Sequence, residues 1–299
     1  MGLRRRALIC ISSGGLLAAG MLSSLPARAA ASPTVWPLGD SITYGLSGGT
    51  AVGATYVEGQ TPGGYRGILD SDLGADGVAH QFVGTMAGNS TVLLTREGQS
   101  SHDGHPGYRI DQIAADLDGV AGGPSDNGGY WMTSTSQPVV PAVAIVLLGG
   151  NDILQRYDPS TTFPTANGEA DFSDPAQVSI FVSDLAGRLR MLLDKIESLH
   201  PGTAVVLSDL TPIETTTNQP DAVTQACVSA IQGVAQAEAS SGVKITFVDL
   251  WSQFVESTPG GLEVIPGTIG PDRMHPTASG YQMIASLFRT PVESMLASG

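Results

Sequence analysis

VWPLGDSITYGLSGG, residues 35–49, is the stretch from which the fold can be read. An apolar, strand-like run ends in Gly39-Asp40-Ser41, and a polar triplet directly after a buried strand is where an open α/β sheet places its chemistry. Two serines in this stretch have the look of a nucleophile. Ser47, in Gly45-Leu46-Ser47-Gly48-Gly49, matches the G-x-S-x-G elbow letter for letter, but an elbow needs a strand leading in and a helix leading out. Glycine surrounds Ser47 and no apolar run precedes it, so it reads as a loop residue. Ser41 has the strand and is the candidate nucleophile.

Outward from this point, short runs rich in Val, Ile and Phe recur at 34–38, 80–84, 139–148, 203–207 and 244–250, and each predicts a strand. Helical periodicity lies between them, at 64–73, 111–117, 221–239 and 276–297. It is clearest over 174–200, where Asp174-Pro175-Ala176-Gln177 reads as N-cap, first-turn proline and capping-box glutamine. Near-continuous apolar strands alternating with helices predict an α/β fold, doubly wound around a five-stranded parallel sheet covered on both faces. The Gly/Ser/Thr/Pro-rich stretches 47–62, 119–138 and 157–173 read as long surface loops. None has the look of an interdomain linker, so residues 32–299 are expected to form one domain.

Residues 1–31 read as an export signal. Arg4, Arg5 and Arg6 precede a short apolar stretch broken by Gly and Ser, and Ala27-Arg28-Ala29 and Ala29-Ala30-Ala31 offer small-residue cleavage sites. The paired arginines leave the general and twin-arginine routes both open. The apolar stretch is too short and too polar to predict a stable membrane span. Removing it leaves ten basic residues against 28 acidic ones, a formal charge of −18. Such a surface repels phosphate backbones and anionic membranes, which excludes nucleic acid as an expected partner. Cys227 is then the sole cysteine, on the apolar side of a helical pattern, and reads as a buried thiol without a disulfide.

The polar residues that follow strands fall on one rim. Ser41 follows the first strand, Asn151-Asp152 the central one, and His275 the last strand and its loop, with Asp272 three residues before the histidine. In a tight turn that spacing lets a carboxylate hold imidazole Nδ1 and leaves Nε2 free to take a serine proton. His102-x-x-His105 has metal-like spacing but no third ligand, so no metal and no cofactor are expected. Asp116-Leu117-Asp118-Gly119 has part of a calcium-loop pattern and reads as a solvated helix end.

Four blocks together carry a family resemblance: Gly39-Asp40-Ser41-Ile42-Thr43, Gly104-His105-Pro106-Gly107, Gly149-Gly150-Asn151-Asp152 and Asp272-Arg273-Met274-His275-Pro276. They resemble, in order, the signature blocks of the SGNH or GDSL hydrolases. The resemblance implies a flavodoxin-like three-layer α/β/α sandwich. It implies Ser41 as nucleophile, His275 as base and Asp272 as its orienting carboxylate. It also implies an oxyanion hole formed by the backbone N–H groups of Ser41 and Gly107 with the amide of Asn151. Neutral donors aimed where negative charge develops are what an acyl-transfer intermediate requires.

The context PLGDSITYG, GGYR, FVGT and HDGHPGYRIDQIAADL is similar to the secreted carbohydrate-esterase branch, including acetyl xylan esterases of carbohydrate esterase family 3. The resemblance therefore implies a secreted serine esterase that removes acetyl groups from plant polysaccharide such as acetylated xylan. Two alternatives stay open: a GDSL lipase or lysophospholipase acting on longer acyl chains, and a non-catalytic glycan-binding protein of the same fold. Tyr44, Tyr65, Tyr108, Tyr130 and Trp131 can serve as sugar-stacking surfaces or as packing. Oligomeric state is not legible.

Overall fold

The computed structural model describes residues 31–52, 55–119, 129–156, 169–216 and 218–298. The expected export signal, all but its last residue, lies outside them, as do residues 120–128 and 157–168 of two expected loops. From Ser32 onward the chain forms one unit. β1 (Thr34–Gly39) leads into α1 (Ser41–Tyr44), then β2 (Leu46–Val52), β3 (Thr55–Gln60), α2 (Gly64–Ala75), β4 (Gln81–Phe82), α3 (Val92–Glu97), β5 (Asp103–Gly104) and α4 (Ile110–Asp116). β6 (Val143–Leu147), α5 (Gly150–Gln155), α6 (Pro175–Leu199), β7 (Ala204–Ser208), β8 (Glu214–Thr216), β9 (Gln219–Pro220) and α7 (Ala222–Ser241) follow. The chain then continues through β10 (Ile245–Val248), α8 (Trp251–Phe254), β11 (Val255–Thr258), β12 (Gly261–Val264) and α9 (Ala278–Ala297).

The central sheet is parallel, in the order β10-β7-β6-β1-β4. Counting core strands in chain order, this is 2-1-3-4-5, the doubly wound order of the flavodoxin type. The five predicted positions are all present. The edge position is shared: β4 pairs with Thr34 and Val35, and β5 pairs with Leu38 and Gly39. The strand expected at 80–84 is therefore short. At Gly84 the backbone takes φ 150°, and a Cβ there would collide with the backbone of His102, so the chain leaves the sheet and β5 takes its place.

Alternate residues of each central strand go to opposite layers. Trp36, Leu38, Ala144, Val146, Val205 and Leu207 pack in one core with residues of α4, α6 and α7. Val35, Val143, Ile145, Leu147, Ala204 and Val206 pack in the other with α2 and α9. A strand buried on both faces has no polar alternate, which is why these runs read as continuous apolar stretches. Each fully buried Leu, Ile or Val contributes about 1.5–3 kcal/mol. α6 supplies Phe181, Leu185, Leu189, Leu192, Leu193 and Ile196 along one stripe, while Val178 and Val182 at its outer end are half-buried. Its cap differs in detail from the expected box. Asp174 accepts from Ala176 N, but Gln177 Oε1 accepts from Asp171 N rather than Asp174 N.

Two loop expectations are corrected. Residues 46–52 and 55–60 pair as the antiparallel strands β2 and β3, in which Ser47 pairs with Gly59; a stretch rich in glycine hid them. Asp116 is not solvated but fully buried, with its carboxylate accepting from Gly129 N, because the chain after residue 129 returns over the end of α4. Cys227 is buried in the α7 core, and burial pushes its thiol up.

Candidate active site

The site begins where β1 stops. A Cβ on Gly39 would collide with the Thr43 hydroxyl and the Leu147 carbonyl, so only glycine lets the chain turn into α1 here. Asp40 caps that turn by accepting from Ile42 N at 2.9 Å. Burial raises the Asp40 carboxyl to about 6 against the pull of that hydrogen bond and of His275. The far end of α1 is satisfied by the buried Arg66 of α2, whose guanidinium donates to the carbonyls of Thr43 (2.9 Å) and Tyr44 (3.2 Å). Ser41 is thus held on a single helical turn fixed at both ends.

His275 reaches the same point from a loop 234 residues later. Its Nε2 lies 2.8 Å from Ser41 Oγ, and its Nδ1 lies 2.5 Å from Asp272 Oδ2. The other Asp272 oxygen accepts from the backbone N–H groups of Met274 (3.2 Å) and His275 (3.1 Å). Burial pushes the Asp272 carboxyl up, but the His275 bond and these N–H donors outweigh it and hold the carboxyl below its usual value. The loop is itself anchored: Gly270 N donates to His275 O, and Ile269 bridges to Pro276. Proton positions follow from this network: Nδ1 carries the hydrogen to Asp272, leaving Nε2 to accept from Ser41.

Asn151 comes from the first turn of α5, directly after β6. Its Nδ2 donates to Tyr108 O at 3.0 Å and lies 3.4 Å from Asp40 Oδ2. One helical turn later, Gln155 Nε2 donates to Gly107 O at 2.7 Å, and its Oε1 accepts from Arg109 at 2.6 Å. α5 therefore grips the 107–109 turn at i and i+4, a spacing legible in the sequence once Asn151 is singled out. Gly107 takes φ 82° with open space around its Cα, consistent with an approachable N–H. Behind α5, Asp152 accepts from Ile110 N and from Arg188 of α6, locking three helices together. Burial raises its carboxyl to about 6, with Arg188 opposing.

Asp40, Ser41, Asn151 and His275 line one small cavity of about 30 Å³, whose apolar lining includes Leu148, Leu154, Leu210, Ile213 and Met274. Ser41, Asn151, Asp272 and His275 are thus brought together; Gly107 lies beside this cavity without lining it. Ser47, in the hairpin, has no part in this pairing. His102 is wired into the backbone, with Nε2 to Gly88 O and Nδ1 accepting from Gly104 N, while His105 faces Asp103 at 3.3 Å. Among the described residues no group of three His, Cys, Asp or Glu side chains is placed to hold a metal. Of the aromatics, Tyr65 is core and Trp131 is buried, whereas Tyr130 is 57% exposed.

Residues 38–283 match the model of the GDSL-like lipase/acylhydrolase family. The chain belongs to that family. As a GDSL-like acylhydrolase it is a carboxylic ester hydrolase. Its fold is similar to that of a Clostridium thermocellum family 3 carbohydrate esterase (24% identity, 89% of this chain and 98% of that one, TM-score 0.58). It is also similar to a carbohydrate esterase family 3 protein from Talaromyces cellulolyticus (18%, 89% and 99%, TM-score 0.59). A catalytic mutant of an acetylxylan esterase from Geobacillus stearothermophilus shares the fold as well (17%, 88% and 94%, TM-score 0.52). No curated protein sequence matches significantly. Among the described residues, no helix of this GDSL-like acylhydrolase is long and apolar enough to cross a membrane.

Proposed function

We propose that this GDSL-like acylhydrolase is an exported serine esterase that removes acetyl groups from polysaccharide, acetylated xylan being the first substrate to try. The observation that carries the acyl preference is the cavity beside Ser41. About 30 Å³ holds roughly two water-sized groups. That is room for an acetyl methyl against Leu148, Leu210, Ile213 and Met274. The carbohydrate side of the reading draws on the family 3 carbohydrate esterases that share the fold.

In this reading Ser41 Oγ attacks the ester carbonyl while its proton passes to His275 Nε2, and Asp272 stabilises the imidazolium. The carbonyl oxygen, now negative, takes hydrogen bonds from Ser41 N, Gly107 N and Asn151 Nδ2. The long 3.4 Å contact between Asn151 and Asp40 is the one it displaces. His275 returns the proton to the departing sugar hydroxyl. Water then attacks the acetyl-serine by the same route, releasing acetate and restoring Ser41.

Initial rates on p-nitrophenyl acetate, butyrate, octanoate and palmitate test the acyl preference. Acetate is expected to lead, with a steep fall beyond butyrate. Preference for octanoate or palmitate makes the protein a lipase, and no turnover of any ester makes it a glycan-binding relative. Acetate release from a panel of acetylated glycans then identifies the polymer. The mature N-terminus recovered from culture medium tests export, with a start near residue 32 expected.

A further inference from the structure

A second, larger hollow lies at the carboxyl edge of the sheet on the β4–β5 side and has no part in the chemistry above. It encloses about 700 Å³, within the range of ligand pockets, and its described lining residues include no Asp, Glu, Lys or Arg.

Its inner wall is rigid. The His105 ring stacks on Trp131 at 4.5 Å and 12° between planes. His105 Nε2 faces the buried Asp103, which also accepts from Trp36 Nε1 at 2.6 Å and from Thr85 N at 3.0 Å. The rim is different in kind. Tyr130 is 57% exposed, yet a Cβ on Gly119 would collide with its ring, so the tyrosine is seated against bare backbone. Ser136 and Gln137, both exposed, line the same groove. An aromatic ring braced by backbone, in a groove that also offers hydroxyl and amide groups, matches a pyranose, with apolar C–H faces and equatorial hydroxyls at the edge.

The groove approaches the reacting site through His105, which lines it and whose N–H donates to Gly39 O at the end of β1, two residues before Ser41. We infer that this groove binds the main chain of a neutral glycan, with Tyr130 stacking on a sugar ring, so that an acetylated unit of the same chain reaches Ser41. The inference rests on the esterase reading only for its purpose, not for the binding itself.

Binding is therefore measured without chemistry. Isothermal titration of the full protein with unacetylated xylohexaose, and with oligogalacturonate as an anionic control, reads the groove alone. Xylohexaose is expected to bind and oligogalacturonate not. Tyr130→Ala is expected to weaken binding by about tenfold, the size of a lost aromatic contact, and Tyr130→Phe to retain it. No binding of xylohexaose, equal binding by Tyr130→Ala, or preference for oligogalacturonate overturns the inference. Wild-type turnover of p-nitrophenyl acetate reports on the esterase separately: turnover without xylohexaose binding removes the groove alone, and Tyr130-dependent binding without turnover removes the esterase alone.

Discussion

Two buried histidines flank the end of β1, and they are wired in opposite senses. His102 gives its Nε2 hydrogen to the carbonyl of Gly88 and accepts Gly104 N–H on Nδ1. His275 gives its Nδ1 hydrogen to Asp272 and accepts from Ser41 on Nε2. Backbone groups cannot answer a proton: protonating His102 breaks the Gly104 bond and buries a charge with no carboxylate in contact. Burial, with Arg66 adding to it, pulls the His102 imidazole down to about 3. His275 has a carboxylate on one side and a hydroxyl on the other, so a proton that arrives on Nε2 is met by charge. The lesson is that burial alone does not distinguish a structural histidine from a reactive one. The partner on each nitrogen does.

The largest expected effects break the His275 side of this comparison. Ser41→Ala removes the group that hands over the proton, and kcat on p-nitrophenyl acetate is expected to fall by about 10⁶ together with labelling by a serine-reactive phosphonate. Ser47→Ala, in the hairpin, is expected to keep activity within a few-fold. The reverse pattern would falsify Ser41 as nucleophile.

Next in size is the carboxylate. Asp272→Asn presents an amide to Nδ1 and favours the wrong tautomer, so kcat is expected to fall by about 10⁴. Thermal unfolding measured in parallel is expected to move by only a few degrees. Near-full activity in Asp272→Asn would mean that His275 is oriented by something other than this carboxylate.

Asn151→Ala leaves both histidine contacts intact and removes one donor from the carbonyl oxygen. A loss of about 10²–10³ in kcat at nearly constant KM is expected. A raised KM at unchanged kcat would place Asn151 in ground-state binding. Slow phosphonate labelling is expected to persist, since Ser41 and His275 remain paired.

The smallest effect sharpens the His102 side. Folded His102 stays neutral down to about pH 3, while in the unfolded chain it takes a proton below about pH 6.5. Its contribution to stability is therefore complete above pH 6.5 and is lost as pH falls toward 3, by about 1.4 kcal/mol per pH unit. Urea unfolding of wild type and His102→Gln at pH 7, 6 and 5 isolates this share. The variant is expected to be less stable at pH 7, from its altered backbone bonds, yet to lose stability less steeply in acid. Parallel pH slopes would show that His102 takes up its proton while folded.

What the sequence determined by itself is local in origin. Apolar runs at 34–38, 139–148 and 203–207 announce strands because a strand buried on both faces tolerates no polar alternate. An apolar run leads into Gly39-Asp40-Ser41 and none leads into Ser47, and that strand context separates Ser41 from Ser47. The same local reading failed at β2 and β3, whose glycine-rich sequence reads as loop, and at Asp116, covered by a segment arriving from residue 129 onward. Tertiary structure alone decided what each nitrogen of His102 and His275 faces, that Gln155 holds Gly107 O, and that a small apolar cavity of about 30 Å³ lies beside Ser41. These depend on strand order, which brings residues 234 positions apart to 2.8 Å, and no pattern within a few helical turns of sequence encodes a distance of that kind.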